Sequence, residues 1–532
     1  MGSEEQGARR ARRAWAWLLA AVAPLAGADN VVTGTVRDAA GQALGGVFVT
    51  ARHAASGIET TVYSNASGEY ALPSLPTGAY TLRAHHARLA EATRQVEVAN
   101  AAAQADFALA PADDPLRHAS TATWFAQIAD GAEKREFILN CASCHEIASS
   151  RVIKNGAPRT REQWLEAFAL MKSFDKYAVI PPDFDAGHYA DWLTAQFNAA
   201  SIAKLAPPAF AAPAAKAEIT EYPVPIASEL PHDLVVGPDA RIWVTAFWNS
   251  RMWALDPATG QYDTYEVSDK PDVAAQVRAL VFAADGTLWL VNGGTEAVVR
   301  LDPRTRRYTT YPVGIYPHDI ALDSHGDVWL NDYFGKTEGI ARLGAADGKL
   351  TRFPLPSAKL PPSAGIPLPY GMQIDAKDRL WSAQLAANTL ARYDIASGAS
   401  KLYAMPGDNV GPRRMAVAPD GRIWIAEFNT GRVTSFDPAS EKFESFDTGL
   451  GAAGIYDVEV DPRNGDVWLA AALASELIHL DAKTKKFTRY PLPTEPAYMR
   501  HLAIDAKNGD VWSAYSSLPT AVPKVVRLRR LP

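Results

Sequence analysis

Short apolar runs separated by turn residues extend over most of the chain, and this pattern predicts a protein built mainly from β-strands. In residues 218–532 the pattern becomes a repeat: an apolar strand, an Asp-Gly or related turn, a strand centred on tryptophan, and two further strands. Four strands in each repeat predict a seven-bladed β-propeller, and residues 219–224 are expected to supply its closing strand. Seven tryptophans, 40 to 52 residues apart, mark the repeats: Trp243, Trp289, Trp329, Trp381, Trp424, Trp468 and Trp512.

Two smaller modules precede the propeller. Residues 30–110 alternate apolar and polar positions between frequent glycines, which predicts a small antiparallel β-sandwich. Residues 116–200 show helical spacing, with a first helix at 131–140 and a later helix capped by Thr160. The alanine- and proline-rich residues 206–217 are predicted to form a linker. The chain is therefore expected to be multidomain and mainly β, with one small all-α domain.

Residues 1–28 have the pattern of a signal peptide. A basic start precedes a short apolar run, and residues 26–28 offer an Ala-x-Ala cleavage site. This pattern predicts export to the periplasm of a bacterial cell. No later segment is long and apolar enough to span a bilayer, so no transmembrane anchor is expected after cleavage. The net charge of −6 gives no reason to expect a nucleic-acid partner.

The most specific motif lies in the helical module, where Cys141, Cys144 and His145 form the pattern Cys-x-x-Cys-His. In this pattern two thiols add to the vinyl groups of a haem, and the imidazole becomes an iron ligand. The chain has only 2 cysteines, and both are here. A redox-active dithiol is the alternative, but that motif needs a βαβ setting. The sequence thus predicts one covalent haem c, and residues 116–200 are predicted to be a class I cytochrome c domain.

A haem iron suited to electron transfer needs a second axial ligand, and a thioether sulfur is a common choice. Met171 is the only methionine between Met1 and Met252, and it lies on the predicted helix that Thr160 caps. We therefore expect His145 and Met171 to hold the iron. His188 is the alternative ligand. A third interpretation is that the iron has no second protein ligand and keeps an open coordination position.

The propeller repeats align a second set of candidate residues. First strands of propellers line the central channel, so the residues that begin them should converge at one mouth. Eleven or twelve positions before each tryptophan stand His232, Arg278, His318, Tyr370, Arg413, Tyr456 and Arg500. Three positions after each tryptophan stand Ala246, Asn292, Asp332, Gln384, Glu427, Ala471 and Tyr515. If both rings face the channel, they form a polar pocket of acids and bases. A wet, polar channel without a site is the alternative.

Residues 218–530 resemble the streptogramin (virginiamycin B) lyases. The resemblance rests on the recurring Pro-His or Pro-Tyr, apolar strand, Asp-Gly, Leu-Trp and Tyr-Pro-Leu-Pro. It implies a divalent metal in the propeller and an elimination that opens a lactone ester. The catalytic residues that it implies here are His232, His318, Asp332 and Glu427. The chain departs from the family pattern because the two histidines flank a blade that carries Arg278.

The first module carries a second resemblance. Residues 34–38, 67–70 and 75–82 are similar to the carboxypeptidase regulatory-like domain. That likeness implies a structural spacer, with carbohydrate binding as the alternative.

Three functional hypotheses follow. The first is an exported c-type haem oxidoreductase or electron-transfer protein whose propeller binds a small anionic or oxygen-rich substrate and which passes electrons to a periplasmic redox partner. The second is a metal-dependent C–O lyase, and the third is a non-enzymatic binding or electron-relay protein. The residues expected to bind substrate are Arg278, Tyr370, Arg413, Tyr456 and Arg500.

Overall fold

The structure is a computed structural model that describes residues 31–99, 101–173, 184–206, 216–270, 273–334, 339–356, 368–517 and 521–531. The predicted signal peptide, residues 1–28, lies outside the described residues, as does most of the predicted linker. The described chain is mainly β, with an N-terminal β-sandwich, a helical module and a propeller-like β domain. No helix among the described ranges is long and apolar enough to cross a membrane.

The N-terminal module packs two sheets around an apolar core that includes Val36, Val49, Leu72 and Leu82. One sheet has the order β4-β1-β7, with β8 also pairing with β1, and the other contains β3-β2-β5-β6. The inward positions alternate with exposed ones, as expected for a sandwich with one solvated face per sheet. The strands are β1 (Val32–Asp38), β2 (Phe48–His53), β3 (Glu59–Tyr63), β4 (Glu69–Leu72), β5 (Gly78–His86), β6 (Leu89–Val98), β7 (Ala103–Gln104) and β8 (Phe107–Leu109).

The helical module contains the helices that the sequence pattern predicted. Helix α4 begins with a capping box, in which the Thr160 hydroxyl accepts from the Gln163 amide and the Gln163 side chain accepts from the Thr160 amide. Helix α2 ends at Cys141, so the Cys-x-x-Cys-His segment starts on its last turn. The elements are α1 (Thr121–Phe125), α2 (Ala132–Cys141), α3 (Ser149–Val152), β9 (Ile153–Lys154), β10 (Ala157–Pro158), α4 (Arg161–Lys172), α5 (Ala186–Gln196) and α6 (Ala199–Ile202).

The third module consists of seven four-stranded antiparallel sheets, and first strands of successive sheets contact each other around a closed ring. Each repeat tryptophan lies buried on the second strand of its sheet. In two of the sheets a hydrogen bond explains why an aspartate recurs before the tryptophan. Asp323 and Asp375 accept the indole N–H of Trp329 and Trp381, respectively, at 2.9 Å.

The first four sheets are β12 (Pro231–Val236), β13 (Ile242–Ala246), β14 (Arg251–Leu255) and β15 (Tyr262–Glu266); β16 (Val277–Phe282), β17 (Leu288–Asn292), β18 (Ala297–Asp302) and β19 (Arg307–Pro312); β20 (Pro317–Leu322), β21 (Val328–Asp332), β22 (Gly339–Leu343) and β23 (Leu350–Pro354); and β24 (Pro369–Ile374), β25 (Arg379–Gln384), β26 (Thr389–Asp394) and β27 (Ser400–Ala404). The next two are β28 (Pro412–Val417), β29 (Ile423–Glu427), β30 (Arg432–Asp437) and β31 (Lys442–Asp447); and β32 (Ile455–Val460), β33 (Val467–Ala471), β34 (Glu476–Leu480) and β35 (Phe487–Pro491).

The seventh sheet joins both ends of the propeller. It contains β36 (Met499–Ile504), β37 (Val511–Ser517) and β38 (Ala521–Arg530), and its outer strand is β11 (Ala217–Pro223). Strand β11 therefore takes the place that the sequence assigned to the closing strand. Its other edge pairs with β3 of the sandwich, so the two modules share one eight-stranded sheet. This pairing covers an edge that would otherwise be exposed.

Charged side chains also join the sandwich to the seventh sheet. The Lys524 ammonium lies 2.8 Å from a Glu59 carboxylate oxygen of β3 and 3.1 Å from one of Glu221 on β11. Both carboxylates and the ammonium are largely removed from water, whereas the Lys401–Glu441 pair lies on the surface.

Lys524→Met is expected to lower the free energy of unfolding by about 3–5 kcal/mol, because it removes the cation shared by two poorly solvated carboxylates. Glu59 then keeps only the longer contact with Arg52 at 3.6 Å. Lys401→Met is the matched control, and its cost should stay below about 1 kcal/mol because the surface pair is well hydrated. Guanidinium chloride unfolding followed by tryptophan fluorescence measures both. Equal losses in the two variants would contradict a role for Lys524 in joining the modules.

Candidate functional site

The seven residues predicted to ring the mouth do converge. The ring centroids of Tyr370 and His318 are 4.0 Å apart, those of His318 and His232 are 6.4 Å apart, and those of Tyr370 and Tyr456 are 5.9 Å apart. The hydroxyl groups of Tyr370 and Tyr456 also contact each other. The guanidinium of Arg413 lies 3.6 Å from the centre of the Tyr456 ring. The mouth is therefore an aromatic and cationic surface.

A β-bulge explains how these side chains reach the mouth. In all seven first strands the register with the second strand shifts just after the strand begins, at Pro231/Leu234, Val277/Leu280, Pro317/Ile320, Pro369/Met372, Pro412/Met415, Ile455/Asp457 and Met499/Leu502. Bulges redirect side chains that regular alternation would send to opposite faces. Here the redirected residues are the ring residues and those that follow them.

The helical module sits directly on this mouth. Its apolar core is continuous with Tyr333, Tyr370, Phe428, Tyr456 and Tyr498 of the propeller. The main chain of the Cys-x-x-Cys-His segment accepts hydrogen bonds from three propeller side chains. Arg413 Nη2 donates to Ser143 O at 2.8 Å, and Arg500 Nη2 donates to Cys144 O at 2.8 Å. The Tyr498 hydroxyl lies 2.8 Å from Ala142 O and 2.7 Å from Ser143 O, which share its one hydrogen. We call Arg413, Tyr498 and Arg500 the clamp.

The residues of the segment fit the haem c that the sequence predicts. Both thiols are free, one on the last turn of α2 and the other three residues later. His145 donates from Nδ1 to the Glu146 carbonyl at 2.8 Å, which leaves Nε2 as the nitrogen for a metal. Burial, with Arg151 nearby, lowers the pKa of His145 to about 4, so the imidazole is neutral at neutral pH. A neutral imidazole is the form that ligates iron.

Met171 and His188, the two candidates for a second iron ligand beside His145, lie in different surroundings. Met171 lies on the last turn of α4 and is half-buried. His188 lies on α5, and its Nε2 is 2.5 Å from a carboxylate oxygen of Glu133 on a largely exposed surface. Residues 174–183, between these helices, lie outside the described part of the chain.

The half of the mouth opposite the clamp contains His232, Arg278 and His318. His318 is fully buried, and neither ring nitrogen has a hydrogen-bond partner among the described residues. The guanidinium of Arg278 lies 4.9 Å from the ring centre of Phe247 and 5.3 Å from that of Tyr316. Its Nε and Nη2 donate to the Tyr316 hydroxyl at 3.2 and 2.9 Å. Within the described ranges Arg278 makes no salt bridge, so its charge has no carboxylate to balance it.

Both histidines of this half are neutral. Burial lowers the pKa of His232 to about 3, although its Nδ1 is 2.5 Å from a carboxylate oxygen of Asp233. Burial also holds the pKa of His318 well below its usual range, and the charge of Arg278 acts in the same direction. Two proton acceptors thus stand beside a cation, an arrangement suited to a small anion or a polar molecule.

Several polar side chains of the second predicted ring bond within or between sheets, which corrects the expectation for Asn292, Gln384 and Glu427. The Glu427 carboxylate accepts from the hydroxyls of Thr430 and Thr434 at 2.7 and 2.5 Å, within its own sheet. Asn292 and Gln384 donate to main-chain carbonyls that follow the outer strand of the preceding sheet. Asp332 is the last residue of β21 and pairs with Pro317. The ends of the second strands therefore serve contacts within and between sheets, because the bulge directs only the first strands inward.

A second polar layer lies deeper in the channel, and the sequence reasoning missed it. Each residue of this layer comes directly after one of the seven residues at the mouth in the sequence, and the bulge is the signal that could have revealed this layer. The layer lines a cavity of about 330 Å³. Arg414 Nη2 lies 2.8 Å from both carboxylate oxygens of Asp233. Burial raises the pKa of Asp319 to about 6. The layer contains Asp233, Asp319, Arg414, Asp457 and His501.

No group of three or more histidine, cysteine, aspartate or glutamate side chains in the described ranges is arranged to hold a metal ion. The divalent metal that the lyase resemblance implies remains a prediction.

The fold and the covered mouth define a seven-sheet β-propeller that carries a helical module on its channel. Residues 217–521, more than half of the chain, match the Virginiamycin B lyase family, and the chain belongs to that family. Residues 31–110 match the carboxypeptidase regulatory-like domain. Both resemblances inferred from the sequence are thereby confirmed.

Solved structures share the propeller fold. A streptogramin B lyase structure is 20% identical, with a TM-score of 0.52, and the match covers 59% of this chain and 97% of that chain. A catalytically inactive virginiamycin B lyase from Staphylococcus aureus, crystallised with quinupristin, is 18% identical with a TM-score of 0.52, covering 59% of this chain and 100% of that chain. The structural similarity shows a common propeller fold. A search of curated proteins found no match.

The pair formed by Asp233 and Arg414 offers a test of the channel geometry. Burial alone would raise the pKa of Asp233, but Arg414 holds it well below the usual range. A carboxyl with a depressed pKa stabilises the fold above its unfolded pKa of about 3.9 and loses that contribution only as pH falls through the folded value. This contribution is therefore present throughout pH 5–8.

Asp233→Asn should lower the free energy of unfolding by about 3–5 kcal/mol at pH 7, because it strands the buried Arg414 cation. Asp263→Asn, which removes an exposed partner of Arg241, is the control and should cost less than about 1 kcal/mol. Chemical unfolding at pH 7 compares them. An Asp233 variant as stable as the control would rule out the buried pair.

Proposed function

We propose that this protein is an exported c-type haem oxidoreductase whose propeller binds a small anionic or oxygen-rich substrate beside the haem. The observation that carries the proposal is the clamp. Hydrogen bonds from three propeller side chains hold the Cys-x-x-Cys-His segment on the same mouth that contains His318, whose ring nitrogens have no partner among the described residues. A site for electron transfer and a site for a polar ligand therefore adjoin each other.

In this proposal the helical module is a class I cytochrome c domain. Cys141 and Cys144 attach the haem, and the Glu146 carbonyl orients His145 as the proximal ligand. Met171 is the proposed second ligand, with His188 or an open site as the alternatives. The bound haem supplies one-electron transfer. A periplasmic redox partner would receive or deliver the electrons.

The opposite half of the mouth is proposed to bind the substrate. Arg278 offers a cation that lacks a carboxylate partner in the described structure, and charge-assisted hydrogen bonds from arginine favour oxygen anions. The neutral imidazoles of His318 and His232 can accept a proton that leaves the substrate as it is oxidised. Asp233 holds His232 through Nδ1, which fixes the orientation of that ring.

The first experiment is an optical titration of the purified ferric protein with organic acids, lactones, sugars and phenols. Reduction of the haem by one class would support the proposal and name the substrate class. His318→Ala should then slow haem reduction by about a hundredfold or more, with an unchanged haem spectrum, because it removes a proton acceptor. His325→Ala, an exposed histidine of the same sheet, is the control. Equal rates in the two variants would place the substrate elsewhere.

The low pKa values predict an unusual pH dependence. A histidine with an ordinary pKa near 6.5 would make the rate fall as pH drops through that value. Because His232 has a pKa of about 3 and His318 is also shifted down, neither imidazole should add an inflection to the rate of substrate-driven reduction between pH 5 and 8. The measurement is made in an Asp319→Asn background, because the Asp319 carboxyl has a pKa of about 6 and would itself titrate in this range. Stopped-flow measurements across this range test it. A histidine inflection near pH 6.5 would contradict the neutral pair.

A metal-dependent C–O lyase is the second candidate, and the family match favours it. His232 or His318 would be the general base, and Asp332 or Glu427 would hold the metal. The two threonine hydroxyls on Glu427 count against that residue as a ligand. Consumption of a lactone with no change in the haem spectrum would establish the lyase. No response of either kind would favour a binding or electron-relay protein.

A further inference from the structure

Two arginines of the clamp are buried cations without carboxylate partners. Arg413 and Arg500 are 2% and 5% exposed, and neither makes a salt bridge within the described ranges. The Arg413 guanidinium instead contacts the faces of three aromatic rings, at 3.6 Å for Tyr456, 4.2 Å for Phe428 and 4.5 Å for Tyr370. Ring faces attract a cation but do not cancel its charge. The buried Glu146 carboxylate, whose charge interacts with that of Arg500, forms its ion pair with Arg151 at 3.6 Å. Two positive charges therefore lie in a poorly solvated region without a salt bridge of their own.

These charges point at one short stretch of main chain. Arg413 donates to the carbonyl of Ser143, between the two cysteines, and Arg500 donates to the carbonyl of Cys144, next to His145. Tyr498 adds one neutral donor to the same stretch, because its single hydroxyl hydrogen is shared between the carbonyls of Ala142 and Ser143.

We propose that the propeller sets the reduction potential of the haem, with Arg413 and Arg500 as the residues that raise it. This inference rests on the proposed function. Reduction of a ferric haem removes one positive charge at the iron, so nearby uncompensated cations favour the ferrous state. Tyr498 is a positioning residue that holds the segment without adding charge. On this view the clamp half of the mouth serves the haem, and substrate binding falls to the half that contains Arg278.

The test is spectroelectrochemical titration of the haem in the purified full-length protein, which needs no substrate. Arg413→Gln and Arg500→Gln should each lower the equilibrium constant for reduction by roughly tenfold, which is about 59 mV for a one-electron couple. Arg304→Gln removes a charge that is 76% exposed and is the matched control, with no expected shift. Arg413→Lys keeps the charge and should retain most of the wild-type potential.

The outcomes separate charge from packing. Potentials of Arg413→Gln and Arg500→Gln equal to that of Arg304→Gln would overturn the proposal, as would an Arg413→Lys potential as low as that of Arg413→Gln. Haem content and the Soret spectrum are recorded for every variant. If Arg413→Gln does not retain haem, Arg500→Gln against Arg304→Gln decides the question. Wild-type protein matured with the c-type haem machinery but lacking covalent haem would instead refute the proposed function itself.

Discussion

The repeated β-bulge at the start of each first strand is the constraint on which the channel depends. A regular strand would send one of two successive side chains into the channel and the other between the sheets. The bulge brings both inward, so every sheet contributes to a mouth layer and to a deeper layer. Two positions in each of the seven first strands, fourteen in all, therefore lie in the narrow channel. Polar groups placed there must find partners, because unpaired burial is costly.

The two layers meet this requirement in different ways. The charged groups of the deeper layer pair mainly with each other and with the main chain, since Arg414 pairs with Asp233 while main-chain amides donate to Asp319. The arginines of the mouth layer form no salt bridge in the described part of the chain. Its clamp half finds partners in carbonyls of another module, Ser143 and Cys144. Docking of the helical module is therefore part of how the propeller satisfies its own channel, and the Cys-x-x-Cys-His segment is shaped by both modules.

Much of the fold could be predicted because its signals are local. The tryptophan repeat, the closing strand and the helix that ends at Cys141 each depend on short sequence patterns, and so do the ring positions. The docking of the helical module could not be predicted, since no local pattern shows which surface it covers. The inward direction of residues such as Arg414 was also hidden, because strand alternation assigns them to the opposite face. Glu427 was predicted to face the channel, but it lies on a second strand, and only the first strands carry the bulge that turns side chains inward.

The closed ring gives the mouth a fixed geometry, and the sandwich contributes to that closure. Strand β11 is held on one edge by β38 and on the other by β3, so separation of the seventh sheet requires two ladders to break. A buried cation such as Arg413 is tolerated only where its aromatic neighbours and carbonyl acceptor cannot move away. The N-terminal module thus adds a second ladder to the sheet that closes the ring around the mouth.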